Sequence, residues 1–168
     1  MDTTIVPING NKTEEKGTVA KNTELIVPKI LIVDDDISLE PIWLYIIEKV
    51  HSKAQIVWAT SETEAENLIL DAQKNGRAFD LIITDIFLCG SKTGLDLWAR
   101  FFNDMHGRII VTSGVEYSRF VKYFEGSQRQ PIYLQKPLIL NECIEVISAK
   151  IKEILYPLRN LSAERTYI

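Results

Sequence analysis

The sequence predicts an α/β fold: a five-stranded parallel sheet, doubly wound, with helices on both faces. Three observations predict it. Five short apolar runs rich in β-branched residues recur from Lys29 onward, at 30–33, 56–58, 81–83, 109–111 and 132–134, each too short for a helix. Stretches of helical period separate them, and this alternation is the pattern of right-handed crossovers between parallel strands. Four of the five runs close on polar residues, so the polar groups collect at the carboxyl edge of the sheet, where such folds bind ligands.

Each element has its own signal. After the first run a helix is expected to begin near Ser38, with Pro41 tolerated in its first turn and Ile42, Ile46 and Val50 facing inward. After the second run, Ser61 and Glu64 have capping-box spacing, Leu68, Ile69 and Ala72 supply a buried stripe, and Asn75-Gly76 gives a stop. The last helix repeats apolar residues at Ile144, Ile147, Ile151 and Ile154, with Asn141 as its cap and Pro157 as its terminator.

The composition limits what such a fold can do. A chain of 168 residues, 46% apolar and 25% charged, makes one domain with enough material for its own core. Its net charge of -4, from 19 basic and 23 acidic side chains, argues against direct binding of nucleic acid. Two cysteines, Cys89 and Cys143, are too few for a disulfide framework and fit a reducing compartment. No basic-then-apolar leader and no run of 18 apolar residues occurs, so neither export nor a membrane partner is signalled, and the expected location is cytoplasmic. Residues 1–28 are too polar to offset the entropy of ordering and read as a flexible extension, with Leu25-Ile26-Val27 able to dock on the domain. The domain proper is expected over 29–156 and a tail over 157–168.

The chemistry gathers at the strand ends. The first run closes on Asp34-Asp35-Asp36, the third on Asp85, the fourth on Thr112-Ser113-Gly114 and the fifth on Lys136-Pro137. Asp85 follows Asp35 by 50 positions, Ser113 follows Asp85 by 28 and Lys136 follows Ser113 by 23, which matches whole strand-helix units of about 25 to 30 residues. Carboxylates crowded on one edge repel unless a cation or proton neutralises them, and hard oxygen ligands suit Mg2+. A lysine beside them adds a point charge for a phosphoryl oxygen. The set is equipped for a carboxylate to attack phosphorus while cation and ammonium absorb the developing charge.

These pieces, in this order, resemble a bacterial response-regulator receiver domain of two-component signalling, and the likeness runs from Lys29 to about Tyr156. The resemblance implies the flavodoxin-like strand order 2-1-3-4-5. It implies that Asp85 is phosphorylated by a sensor histidine kinase or phosphotransfer protein. Mg2+ would be held by Asp34, Asp35, Asp85 and the backbone carbonyl of Phe87. Ser113 and Lys136 would bind the phosphoryl group, Ser113 and Tyr133 would act as the switch pair, and Pro137 would follow a cis peptide bond. With 32 residues after Lys136, no attached output module is expected. Output would pass through protein contacts on the fourth helix, fifth strand and fifth helix, with Phe120, Val121 and Phe124 in that region; the same face admits a homodimer. The chain would then be a signalling domain and not an enzyme acting on other substrates.

Departures from the pattern carry expectations too. Cys89 stands where the family usually has proline, and Gly94 comes nine residues after Asp85 where a glycine usually comes about eight after, so the loop is expected to be one residue longer. Phe87 and Val115 are apolar where many relatives are polar, and they are expected to shield an acyl phosphate from water. A competing assignment is a haloacid-dehalogenase-like phosphatase with Asp34 as nucleophile, since Asp34 and Asp36 match an Asp-x-Asp pattern. A degenerate receiver acting as a constitutive scaffold is a third. His51 and His106 read as structural, His106 at a helix end; Cys89 reads as a spectator thiol, Thr112 competes with Ser113 for the hydroxyl role, and Trp43, Trp58 and Trp98 read as packing.

Overall fold

Alternation along single strands divides the buried residues between the two faces of the sheet, with a smaller cluster of Ile86, Val111 and Phe120 beside them. The computed structural model describes residues 27–105 and 107–164. The expected extension falls outside the described residues up to residue 26, as do His106 and residues 165–168.

Five strands form, β1 Lys29–Val33, β2 Gln55–Ala59, β3 Leu81–Asp85, β4 Ile109–Ser113 and β5 Ile132–Gln135. All pair in parallel, in the order β2-β1-β3-β4-β5 that the resemblance implied. Between them run α1 Glu40–Val50, α2 Glu62–Lys74, α3 Gly94–Met105, α4 Tyr117–Lys122 and, after β5, α5 Leu140–Glu164. Ile30, Ile32, Leu81 and Ile83 point to one face, where Trp43 and Ile46 of α1 and Cys143, Ile147 and Ile151 of α5 cover them. Leu31, Val33 and Ile82 point to the other, under Ile69 of α2 and Leu97 and Phe101 of α3. The inner strands β1, β3 and β4 are buried on both faces, which is why their runs show no polar alternation.

Three helix details differ from expectation. A short 3-10 turn, Ile37–Leu39, precedes α1, and the inward face is Trp43, Ile46 and Ile47, with Ile42 exposed. Ile46 lies inward as expected and Val50 packs at the margin of the same core, while Trp43, 1% exposed, takes the buried place expected of its neighbour Ile42. At α2, Ser61 accepts from the Glu64 N–H as the capping box requires, but the Glu64 carboxylate bonds the N–H and hydroxyl of Thr60, one position earlier than the reciprocal bond needs. Helix α5 begins one residue before Asn141, with the Cys143 N–H bonded to the Ile139 carbonyl, and continues through Pro157 to Glu164. A proline deletes one helical N–H and crowds the preceding turn, a local cost, whereas Ile147, Ile151, Ile154 and Leu155 already hold the upstream helix against the sheet. Asn75 and Gly76 end α2 as expected, Gly76 at φ 66°.

Candidate functional site

Every group of the site hangs from the carboxyl end of a strand. Asp34 directly follows β1: its N–H donates to the Ala59 carbonyl at 3.0 Å, and the Trp58 indole donates to the Asp34 carbonyl, also at 3.0 Å. Trp58 therefore fixes the backbone of an acidic residue besides packing, a role sequence reasoning missed; the signal was its place at the end of the strand neighbouring Asp34. Asp85 is the last residue of β3, and its Oδ1 accepts from the Phe87 N–H at 3.3 Å. Beyond β4 and β5, the Lys136 N–H donates to the Ser113 carbonyl at 2.7 Å, which brings the lysine to the same edge.

The side chains then converge. Lys136 Nζ lies 2.7 Å from Asp85 Oδ2 and 2.8 Å from Asp34 Oδ2. Oxygens of Asp34, Asp35 and Asp85 lie within 4.8 Å of one another. Burial, opposed by the Lys136 hydrogen bond, holds the Asp34 carboxyl above its ordinary range. Burial alone would lower the Lys136 ammonium, but its bonds to both carboxylates outweigh that and keep it above the usual lysine value. The four expected groups Asp34, Asp35, Asp85 and Lys136 are thus one cluster, and three hard carboxylate donors this close fit a small divalent cation such as Mg2+.

The rest of the expected set sits around this cluster. The Ser113 side chain is wholly buried, and its hydroxyl oxygen accepts from the Val115 N–H at 3.2 Å; among the described residues it makes no bond to Asp85. Thr112 turns its hydroxyl to the Thr84 carbonyl at 3.4 Å and serves the sheet instead. The Tyr133 hydroxyl faces the carbonyls of Ser113, at 2.9 Å, and Val115, while its ring stacks on Phe120 at 4.1 Å. Lys136-Pro137 is cis. Phe87 is 60% exposed, so its ring does not itself close over Asp85 in this conformation. Asp36 is turned outward and caps the following turn through Ser38.

The loop after β3 shows why its two unusual positions matter. Gly94 starts α3 with its N–H on the Ile86 carbonyl at 3.0 Å, and a Cβ there would lie 2.0 Å from the Asp85 carbonyl oxygen. Only glycine permits that approach. Cys89 is exposed, and its thiol donates to Asp35 Oδ2 at 2.8 Å. That hydrogen bond to the Asp35 carboxylate raises the thiol above its ordinary value. His51 and Cys143 lie away from the cluster, at the end of α1 and inside the α5 face respectively.

No protein-family model matches the sequence, and no curated protein matches it. Solved structures do. A response regulator receiver protein from Sinorhizobium medicae superposes with a TM-score of 0.61 at 19% identity, covering 76% of this chain and 97% of that one. A CheY-like response regulator receiver domain protein from Methanospirillum hungatei gives 0.59 at 24% identity over 79% and 99%. The receiver domain of NtrX from Brucella abortus gives 0.57 at 23% identity over 73% and 98%. The chain has the fold of these receiver domains.

Proposed function

We propose that the chain is a phosphoacceptor receiver domain, taking a phosphoryl group onto Asp85 from a histidine kinase or phosphotransfer protein and signalling through protein contacts. One observation carries the reading: Lys136 touches both Asp34 and Asp85, but Asp34 is 1% exposed and Asp85 9%. The more open carboxylate is the one a phosphodonor reaches. Asp34, by contrast, has one oxygen on Lys136 and the other on the Asp36 N–H, which disfavours it as the nucleophile of a phosphatase.

In the transfer, an Asp85 oxygen forms the new O–P bond as the donor imidazole's N–P bond breaks and the imidazole leaves. Lys136 pairs with a phosphoryl oxygen as its contact with the Asp85 carboxylate is given up. Asp34 and Asp35, with Asp85 and the Phe87 carbonyl, would hold Mg2+, which supplies positive charge to the transferring group. Ser113 would leave its Val115 contact to bond the phosphoryl group. The Tyr133 hydroxyl, already on the carbonyls flanking that loop, would register its movement on the α4, β5 and α5 surface. On this reading the chain is a switch and not an enzyme for an external substrate. Among the described residues no helix is long and apolar enough to cross a membrane.

Incubation with acetyl phosphate and Mg2+, followed by borohydride trapping and peptide mass spectrometry, tests the reading. Label on Asp85 is expected. Label on Asp34 favours the phosphatase, and absence of label together with no binding of beryllofluoride favours the constitutive scaffold.

A further inference from the structure

A cleft lies at the opposite edge of the sheet from the acidic cluster, at the amino ends of β4 and β5, with a volume of about 300 Å³. We propose that it is a second ligand site, one that takes a small planar aromatic anion.

The chemistry of the walls selects that class. Trp98 and Phe102, from successive turns of α3, line the cleft with rings packed edge to face at 5.2 Å. Flat apolar walls favour a flat apolar guest. Arg129 and Lys150 line it as well, and among the described residues no acidic one does. Arg129 lies 5.0 Å above the Phe102 ring and donates to the neutral Asn103 amide at 3.1 Å; among the described residues it has no carboxylate partner. Its guanidinium charge is therefore available beside an aromatic surface. Lys150 spends part of its charge on Glu153, at 2.7 Å, an exposed partner that leaves room for a second anion.

Size sharpens the class. A volume of about 300 Å³ stands at the small end of ligand pockets, enough for one ring bearing one charged group and not for a dinucleotide. An apolar ring alone leaves Arg129 unmatched, and a bare phosphate leaves the Trp98 and Phe102 walls unmatched; both features are met by a ring with a phosphate or carboxylate attached. The cleft belongs to no part of the acidic edge, because Asp34, Asp85 and Lys136 leave the carboxyl ends of their strands while Ile109 and Ile132 begin β4 and β5. Trp98 also meets Phe124 at 5.4 Å, and Phe124 meets Phe120, which stacks on Tyr133.

Phenyl phosphate is the probe, titrated into the full 15N-labelled chain in a chelator so that no divalent cation occupies the acidic edge. The reporter is the Trp98 indole resonance, identified by its loss in Trp98→Phe. The expected result is a saturable shift of that resonance at millimolar probe, with the Trp58 indole, which sits on Asp34, unmoved. Arg129→Gln, a change on an exposed loop checked by an unaltered melting temperature, is expected to weaken the apparent affinity about tenfold. Benzyl alcohol and inorganic phosphate are each expected to bind at least about tenfold more weakly than phenyl phosphate. A stationary Trp98 resonance overturns the proposal. So does equal binding by the Arg129→Gln variant, by benzyl alcohol, which marks a merely apolar cleft, or by inorganic phosphate, which marks an ion on an exposed arginine.

Discussion

Lys136 and Asp85, 51 positions apart in sequence, meet at 2.7 Å, and the same ammonium reaches Asp34 at 2.8 Å. One lysine thus holds together the carboxyl ends of β1, β3 and β5. In the absence of a divalent cation it is the main compensation for two carboxylates that the fold forces side by side.

Removing that ammonium exposes the repulsion. Lys136→Met is expected to lower cation-free stability by about 2 kcal/mol, less than the loss at a fully buried pair, because the Lys136 side chain is 20% exposed. Mg2+ then has more charge to neutralise. Thermal melts with and without MgCl2 are expected to show a larger cation-dependent rise in the variant than in the native chain; an equal or smaller rise means that lysine and cation do not answer the same carboxylates.

Gly94 fixes the other side of the acidic cluster. Its absent Cβ would stand 2.0 Å from the Asp85 carbonyl oxygen and 2.7 Å from the Thr84 hydroxyl, and neither belongs to a flexible side-chain end that can swing aside. Gly94→Ala is expected to cost about 2 to 3 kcal/mol and to displace Asp85 enough to suppress its labelling by acetyl phosphate. Normal labelling with normal stability would falsify the close approach as a constraint on the site.

How far the sequence carries can be seen at particular residues. The central strands β1, β3 and β4 are legible because burial on both faces demands uninterrupted apolar runs, and the convergence of Asp34, Asp85 and Lys136 follows once each is read as the end of a parallel strand. Trp58 reads from sequence as packing alone, because the hydrogen bond from its indole to the Asp34 carbonyl depends on which strands are neighbours, a fact absent from local pattern. Ile42 and Trp43 are adjacent on α1, about 100° apart, and helical period alone does not say which of two neighbouring apolar residues the sheet buries; packing takes the larger side chain. Local propensity makes Pro157 a terminator, and α5 continues through it because tertiary packing upstream outweighs one lost bond.

The thiol of Cys89 offers a reading of the cation site that needs no phosphoryl chemistry. The Asp35 carboxylate, which accepts its hydrogen bond, raises its pKa and so suppresses the thiolate, the reactive form. A divalent cation on Asp35 cancels that negative charge and lets the thiol pKa fall. Alkylation by iodoacetamide at mildly alkaline pH is therefore expected to quicken when Mg2+ is added. Cys143, buried and pushed up to about 11, serves as the unreactive control. An unchanged Cys89 rate would place the cation away from Asp35.

Asp34 makes the pH dependence of the fold specific. Burial, the largest influence on it, raises its carboxyl above the ordinary 3.8 despite the Lys136 bond. A carboxyl raised in the folded state binds its proton more tightly there than in the unfolded chain, so stability declines as pH climbs from the ordinary carboxylate range through the raised value, and the full cost persists at neutral pH. Asp34→Asn removes that titration while keeping an oxygen for the Asp36 N–H and leaving the Lys136 contact with Asp85. In a chelator at neutral pH the variant is expected to be more stable, seen as a higher melting temperature than that of the native chain. The gain should shrink toward zero below the ordinary carboxylate range, where both side chains are neutral. It should also shrink when Mg2+ is added, because the native chain gains a cation ligand that the amide replaces poorly. A difference independent of pH, or a variant less stable at neutral pH, would mean that the Lys136 contact outweighs the burial of the Asp34 charge.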